Sequence, residues 1–340
     1  MVAQDRPGRE RLPVRHLEIG EENAGQRIDN FLIRKLKGVP KSRIYRMVRK
    51  GEVRVGGRRI KPDYRLQRGD RIRIPPLEIE ERPLEEMVVR LYGKQLERLV
   101  LYEDGDLLVL NKPSGIAVHG GSDLAGGVIE GLRQVRPGHA LELVHRLDRE
   151  TSGVLLIAKN RSVLRQLHEQ FRNGRVEKRY LALLDGLWKE AERLVDAPLR
   201  KFQLRGGERF VVVDPERGKP SRTHFRRLEL REGATLVEAI LETGRTHQIR
   251  VHAASLGHPI LGDERYGKEE GNRRFRKLGL RRLFLHASKL AFRHPRTGLR
   301  IEIETPLPDE LAKVLDRIPR SGSRRRNSSQ PGGPPSRRAG

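Results

Sequence analysis

The apolar residues of this chain occur only in short runs. Stretches such as Leu107–Leu110 and Val154–Ala158 are four and five residues long, far below the roughly 20 that a membrane-spanning helix needs. Such runs suit short β-strands and the apolar faces of amphipathic helices. We therefore expect an α+β protein with no membrane partner, and 340 residues are enough for two or three domains with separate cores.

The residue types that are missing exclude several kinds of site. The sequence has no cysteine, which removes disulfides, thiolate nucleophiles, zinc knuckles and iron–sulfur clusters. No two of its 11 histidines have the spacing of an H-E-x-x-H motif, so we expect no metal. The glycine-rich loops that bind nucleotides are absent, and we expect no cofactor. The first ten residues contain no apolar secretory signal, so the expected location is the cytoplasm.

Positive charge is concentrated in two parts of the chain. Residues 23–75 hold 17 basic and four acidic side chains, and residues 320–340 add six arginines and no acid, within a net charge of +26. Arginine supplies 55 of the 71 basic residues, and its planar guanidinium recognises phosphate through paired hydrogen bonds. This distribution predicts a polyanionic partner.

Composition divides the chain into five parts. They are an N-terminal extension (1–22), a compact basic module (23–75), an acidic linker flanked by prolines (76–98), a long section of mixed α/β character (99–319) and an arginine-rich tail (320–340). The tail has no large apolar residue, so we expect it to be disordered until bound. It serves either as a solubilising extension or as a weak RNA-binding arm.

Two helices are predicted in the basic module. The first has an apolar face formed by Ile28, Phe31, Leu32 and Leu36. The second has an apolar stripe formed by Ile44, Met47 and Val48, and a left-handed glycine, Gly51, ends it. Its opposite face is basic, and the residues that we expect to contact RNA are Arg43, Arg46, Arg49, Lys50 and the preceding Lys41.

The long section is predicted to contain several strands and at least one helix. The strands lie over Leu107–Leu110, Leu155–Ile157, Tyr180–Leu184, Phe210–Val213 and Leu236–Leu241. Asn160 is expected to cap a helix that Gly174 ends.

A polar loop from His145 to Gly153 separates two apolar segments of the long section. Asp148 lies in it between Arg146 and Arg149. Its carboxylate either forms a local Asx turn or, kept ionised by the guanidinium groups, acts as a nucleophile or base. The loop sequence alone leaves both interpretations open.

Two further segments contain candidate residues. Arg250 lies one turn inside a helix that we expect Thr246 to cap, and it is either a surface residue or the partner of a loop carboxylate. Tyr180 is expected to open a strand among basic neighbours. It is either an aromatic residue at the sheet edge or a stacking platform for an extruded base.

Taken in order, these motifs resemble the RluA-like pseudouridine synthases, most closely the RluC-type enzymes that modify large-subunit ribosomal RNA. The basic module resembles an S4 RNA-binding domain. The later motifs are N-K-P-S-G at 111–115, H-R-L-D-R-E-T-S-G at 145–153, K-R-Y at 178–180, T-G-R-T-H-Q-I-R at 243–250, G-H-P-I at 257–260, G-D at 262–263 and L-F-L-H-A at 283–287.

The resemblance implies an S4-like module followed by a larger mixed-sheet catalytic domain with flanking helices. It places the family's essential aspartate at Asp148, its partner arginine at Arg250 and its conserved tyrosine at Tyr180. The arginine that enters the RNA stack when the uridine leaves falls on Arg146. The implied reaction isomerises uridine to pseudouridine without a cofactor or metal. The expected partner is large-subunit ribosomal RNA or its precursor, and the protein is expected to be a monomer.

Two other functions remain open at the level of the sequence. One is a non-catalytic, S4-type ribosome assembly factor that only binds ribosomal RNA. The other is an aspartate-dependent glycosylase, which would release free uracil.

Overall fold

A computed structural model describes residues 9–36, 39, 41–80, 92–120, 126–203 and 209–321. The chain divides into two compact units, one made of residues 1–175 and 293–303 and the other of residues 176–292 and 304–340. No helix among the described residues has the length and apolar character needed to cross a membrane.

The N-terminal part of the first unit contains the two predicted helices. Its elements are β1 (Arg9–Leu12), β2 (Arg15–Glu18), α1 (Ile28–Lys35), α2 (Lys41–Lys50), β3 (Arg54–Val55), β4 (Arg71–Ile74) and β5 (Leu77–Glu80). Three of the strands form a sheet in the order β2-β4-β3. The apolar faces of both helices pack with these strands in one core, which confirms the predicted periodicity. Gly51 follows α2 with a φ of +71°, as expected of a helix-ending glycine.

The rest of the first unit surrounds a short antiparallel sheet. Its elements are α3 (92–97), β6 (Val100–Glu103), β7 (Leu107–Lys112), α4 (Val128–Val135), β8 (Glu142–Leu143), β9 (Ser152–Ala158) and α5 (Arg161–Arg172). β9 pairs with β7 and with β8, and β7 also pairs with β6. All seven residues of β9 are buried, as in a strand covered on both faces. Asn160 caps α5 as predicted, with its side chain accepting a hydrogen bond from Val163 N at 2.9 Å.

The second unit contains a five-stranded antiparallel sheet in the order β11-β14-β15-β10-β16. Its elements are β10 (Glu177–Asp185), β11 (Glu192–Asp196), β12 (Leu199–Gln203), β13 (Arg209–Val213), β14 (Arg222–Arg231), β15 (Ala234–Leu241), α6 (Gln248–Ser255), α7 (Glu269–Lys277), β16 (Leu285–Arg293), whose last residue belongs to the first unit, and α8 (Asp309–Asp316). β17 (Arg300–Glu304) belongs to the first unit except for Glu304. β12 and β13 form a separate hairpin. All five strands predicted in the long section are confirmed.

Residues at the start of the predicted acidic linker and at the start of the arginine-rich tail take part in strand pairing. The acidic linker begins with β5, which pairs with β1 from Leu77 opposite Leu12 to Glu80 opposite Arg9, and residues 81–91 lie outside the described residues. At the start of the tail, Ser321 N donates to Leu230 O at 2.9 Å. The prediction for the remaining tail concerns residues 322–340, which also lie outside the described part.

The buried histidine of β16 makes stability depend on pH. His286 has no exposed surface, and burial lowers the pKa of His286 to about 4. The unfolded chain therefore binds this proton at a higher pH than the folded protein does. The contribution of His286 to the free energy of unfolding is complete above about pH 6.5. About 3 kcal/mol of it is lost as the pH falls towards 4.

We expect His286→Gln to flatten the pH dependence of the free energy of unfolding between about pH 6.5 and 4. Urea unfolding at several pH values measures this. The matched control is His139→Gln, since His139 is exposed, and it should retain the slope of the unmodified protein. Equal slopes in all three proteins would contradict the assignment.

Candidate active site and nucleic-acid interface

Asp148 lies in the loop between β8 and β9, as the sequence predicted. Residues 144–151 form neither helix nor strand. A backbone hydrogen bond from Thr151 N to Asp148 O, at 3.1 Å, closes a turn at the end of the loop. Asp148 is a partly exposed residue and Arg146 is an exposed one, so both can be reached from solvent.

A buried lysine connects this loop to the N-K-P-S-G segment. Lys112, the last residue of β7, has no exposed surface. Its Nζ donates to the carbonyl oxygens of Pro113 at 2.8 Å, Ile116 at 2.7 Å and Arg149 at 3.1 Å. Three acceptors suit the three protons of an ammonium group, which offsets the cost of removing it from water. The backbone just after Asp148 is thereby held by the interior of the protein.

Three more hydrogen bonds join the same two segments. Ser114 Oγ donates to Glu150 O at 2.7 Å, and Gly115 N donates to Arg149 O at 2.9 Å. In return, Arg149 Nε donates to Gly115 O at 2.9 Å. The two motifs that the sequence resemblance singled out separately therefore form one structural element.

The other side of Asp148 is fixed against β9. Val144 N donates to Leu156 O at 3.2 Å, and the ring nitrogen Nε2 of His145 accepts a hydrogen bond from Leu156 N at 3.0 Å. The His145 ring stacks on Phe171, with 5.2 Å between centroids. Asp148 is therefore on a short segment held at both ends, which is what a group that must meet a substrate in one geometry requires.

Tyr180 lies inside β10 and is only 8% exposed. It is the fourth residue of a strand that begins at position 177, so the prediction that it opens the strand is wrong. Opposite Arg179 and Tyr180 the pairing with β16 shifts by one residue, and Ser288 Oγ donates to Arg179 O at 3.2 Å. Such a bulge changes the direction of nearby side chains and is common beside functional sites. Lys178 faces the same side of the strand, and burial lowers the pKa of Lys178 to about 8.

Arg250 forms a two-point ion pair with Asp263. Its Nε and Nη2 donate to the two carboxylate oxygens at 2.7 and 2.8 Å, and the Asp263 side chain has no exposed surface. Burial acts to raise the pKa of Asp263. The hydrogen bonds and charge of Arg250, with backbone donors at Arg265 and Tyr266, outweigh it and hold that pKa below its usual value. Gly262-Asp263 is one of the family motifs, but the motif by itself does not identify Asp263 as the partner of Arg250.

The start of α6 differs from the prediction. The helix begins at Gln248 and its N-terminal cap is His247, so the expectation that Thr246 caps it is wrong. The reason lies in the Gln248 side chain, whose Oε1 accepts a hydrogen bond from Arg245 N at 2.9 Å. This contact closes the preceding turn and delays the helix. Arg250 is therefore in the first turn of α6, on a backbone fixed at its start.

His247 adopts a left-handed conformation with a φ of +55°, which is uncommon for a residue other than glycine. Its Nδ1 lies 2.8 Å from the hydroxyl of Tyr266, which also accepts a hydrogen bond from Val211 N at 3.1 Å. The guanidinium of Arg250 lies 5.0 Å from the centre of the same ring. Asp263 and Tyr266 therefore contact the Arg250 side chain, and His247 contacts Tyr266. Local sequence patterns did not assign these roles to the three residues.

The predicted RNA-binding residues of α2 share one helix but differ in their environment. Arg46, Arg49 and Lys50 are exposed. Arg43 is partly exposed and forms an ion pair with Glu52 at 2.7 Å, which lowers the pKa of Glu52. Part of its charge is therefore neutralised within the module. Lys41 is the first residue of α2, and its side chain lies outside the described part of the chain.

The predicted catalytic residues come from both units. Asp148 and Arg146 belong to the first unit, and Tyr180 and Arg250 belong to the second. The pairing of Asp148 with Arg250 stays a prediction.

Comparison with known proteins identifies two regions of the chain. Residues 106–255 match the model of the RNA pseudouridylate synthase family, and residues 26–72 match the S4 domain. A curated relative from Pasteurella multocida, "Ribosomal large subunit pseudouridine synthase C", is 56% identical over 89% of this chain and 93% of its own length. The protein of that name from Escherichia coli strain K12 is 54% identical over 90% and 97%.

A solved structure gives a similar result. The chain titled "Human RNA Pseudouridylate Synthase Domain Containing 4" superposes with a TM-score of 0.56 and 29% sequence identity. The match covers 68% of this chain and 97% of the human one.

Replacing Lys112 by methionine should lower the free energy of unfolding by about 2 kcal/mol, because three carbonyl groups lose the buried ammonium that they share. Amide hydrogen exchange in residues 145–151 should also become faster than in the unmodified protein. The control is Lys94→Met, which removes an exposed lysine of α3. If both variants are equally stable, Lys112 does not hold the loop.

Proposed function

The chain belongs to the RNA pseudouridylate synthase family, and we propose that it converts uridines of large-subunit ribosomal RNA into pseudouridine. The membership rests on relatives that are 54–56% identical over about nine tenths of the chain. It confirms the family and the α+β fold class predicted from the sequence. The substrate is taken from the printed names of those relatives, and the proposed place of action is the cytoplasm, where bacterial ribosomes are assembled.

The proposed reaction is an internal rearrangement of one nucleotide. The bond from N1 of uracil to C1′ of ribose breaks, the base turns, and C5 forms a new bond to C1′. The hydrogen on C5 is lost and N1 gains one, so the mass does not change. The nucleotide must first leave the RNA stack, which costs a few kcal/mol.

We assign the central role to Asp148. The observation that supports this most directly is that Asp148 is a partly exposed residue on a loop held at both ends by Lys112 and His145. In this proposal, the carboxylate attacks C1′ or C6 of the nucleotide, or removes the 2′ proton of ribose. Each of these steps requires an ionised, positioned oxygen.

Three other residues assist Asp148 in the proposal. Arg250 keeps the carboxylate ionised, and Asp263 and Tyr266 hold the arginine in one orientation. Tyr180 stacks on the extruded base, and the bulge of β16 opposite Tyr180 helps to fix its position. Arg146, exposed on the loop, enters the RNA stack in place of the uridine.

The S4 module supplies the binding energy that offsets unstacking of the base. The exposed residues Arg46, Arg49 and Lys50 contact phosphates, and Arg43 contributes less because it is paired with Glu52. Binding energy from RNA that does not react is then available to distort the RNA at the target.

Asp148→Asn should abolish pseudouridine formation and leave RNA affinity unchanged, because the amide keeps the shape of the side chain and loses its charge. Nucleoside analysis of treated RNA measures the product, and filter binding measures affinity. The matched control is Glu150→Gln, two residues further on, which makes the same charge change and should remain active.

Three outcomes of this experiment would overturn the proposal. Substantial turnover by Asp148→Asn would remove Asp148 from the chemistry. Release of free uracil by the unmodified protein would indicate a glycosylase. Tight binding of ribosomal RNA with no new nucleoside would indicate an assembly factor.

Replacing Arg46 and Arg49 together by alanine should weaken RNA binding and reduce the slope of log affinity against log salt by about two. The same helix offers a comparison in Arg43→Ala, which should change the slope less because Glu52 already neutralises part of its charge. A slope that is the same in all three proteins would show that α2 does not contact phosphate.

A further inference from the structure

We propose that Glu142 and Gln26 form a polar latch that docks the S4 module onto the catalytic part of the first unit, and that the docked module selects the target uridine. The latch would add a specificity determinant to the proposed function. The test of the latch that uses RNA substrates rests on that proposed function. It derives from side chains that neither the catalytic proposal nor the RNA-binding surface uses.

Glu142 bridges the two parts of the first unit. Its Oε1 lies 3.2 Å from Nη1 of Arg34 on α1, and its Oε2 lies 3.1 Å from Nη2 of Arg133 on α4. All three side chains are between 25 and 29% exposed, so solvent screens the pairs only in part. Arg133 also donates from Nε to Leu141 O at 2.9 Å, which fixes it beside β8.

Gln26 forms the second contact of the latch. Its Oε1 accepts from Nη2 of Arg34 at 3.2 Å and from Nη2 of Arg161, the first residue of α5. Arg34 Nη2 also donates to Asn23 Oδ1 at 2.5 Å, which orients it from within the module. Burial and the nearby charge of Arg34 both lower the pKa of Arg161. The guanidinium groups of Arg34 and Arg161 are thus held near each other by one shared acceptor, Gln26 Oε1.

The S4 module has an apolar core of its own. Every member of the cluster that contains Ile28 and Met47 lies within residues 17–77, including the partly buried residues packed against it. The module therefore keeps its fold without help from the latch. Contacts made by partly exposed ion pairs and amides open more easily than a buried apolar interface does. The latch therefore holds a separately folded module against the catalytic part, and the loss of one of its partners is enough to release the module.

The latch is attached to the strand that leads into the candidate catalytic loop. Glu142 lies on β8, opposite Ala158 of β9, and only five residues separate it from Asp148. With the latch closed, the basic face of α2 and the carboxylate of Asp148 are parts of one rigid arrangement. RNA bound to α2 can then place only one uridine at Asp148. This is the uridine whose distance from the α2-bound segment, in the folded RNA, matches the distance between α2 and Asp148.

The test compares Arg34→Ala and Glu142→Gln on two RNAs. One is a fragment of large-subunit ribosomal RNA with the target and its flanking helices, and the other is a stem-loop with the target alone. Both variants should raise KM for the long RNA about fivefold and leave kcat unchanged, as expected for one network of contacts. For the stem-loop, both should match the unmodified protein.

The two substitutions change the net charge in opposite directions, which separates the latch from general attraction to RNA. Loss of Arg34 weakens that attraction and loss of Glu142 strengthens it. A common increase in KM therefore supports the latch, and opposite changes would overturn it. Arg68→Ala is the control, since Arg68 is in the same module and pairs only weakly with exposed Glu21 at 3.7 Å.

A structural measurement tests the latch without any RNA. The chain has no cysteine, so spin labels can be placed at Gln67→Cys in the module and Gln166→Cys on α5, both exposed positions. The distance distribution should be narrow in this background and broad when Arg34→Ala or Glu142→Gln is added. An unchanged narrow distribution would overturn the latch. Failure of the unmodified protein to make pseudouridine would instead overturn the proposed function, and the distances would still decide the latch.

Discussion

The three hydrogen bonds of the Lys112 ammonium are the interaction on which the candidate active site depends. The loop of Asp148 has no regular secondary structure, so its own backbone pairing cannot fix it. The buried ammonium group of Lys112, at the end of β7, donates hydrogen bonds to carbonyl groups of two loops. These bonds attach both loops to the sheet. His145 provides the corresponding tie on the other side. The loop that contains Asp148 thereby has a defined geometry although it has no regular secondary structure.

The large excess of arginine has two different uses in this protein. Some guanidinium groups are internal connectors, such as Arg250 with Asp263 and Arg34 with Glu142. Others, such as Arg46 and Arg49, remain exposed on one helix face. Net charge alone does not distinguish the two groups, because pairing depends on acids that are distant in sequence. The basic groups available to RNA are therefore fewer and more localised than the 71 basic residues of the chain.

Local patterns in the sequence were sufficient for most of the secondary structure and for the position of Asp148. The apolar stripes of α1 and α2 and the cap at Asn160 depend on residues only three or four apart, and they appear as predicted. The start of α6 was missed because Gln248 turns its side chain back onto Arg245. Asp263 and Glu142 were missed as partners because ion pairs between distant segments leave no periodic signal.

The left-handed backbone of His247 places a limit on how the protein can vary. A glycine there would relieve the unfavourable φ but would remove the ring that meets Tyr266, whereas a β-branched residue would keep bulk and increase the strain. The residue type is thus set by two demands that conflict. Protein engineers who seek a more heat-resistant enzyme by replacing strained positions would do well to leave this one alone.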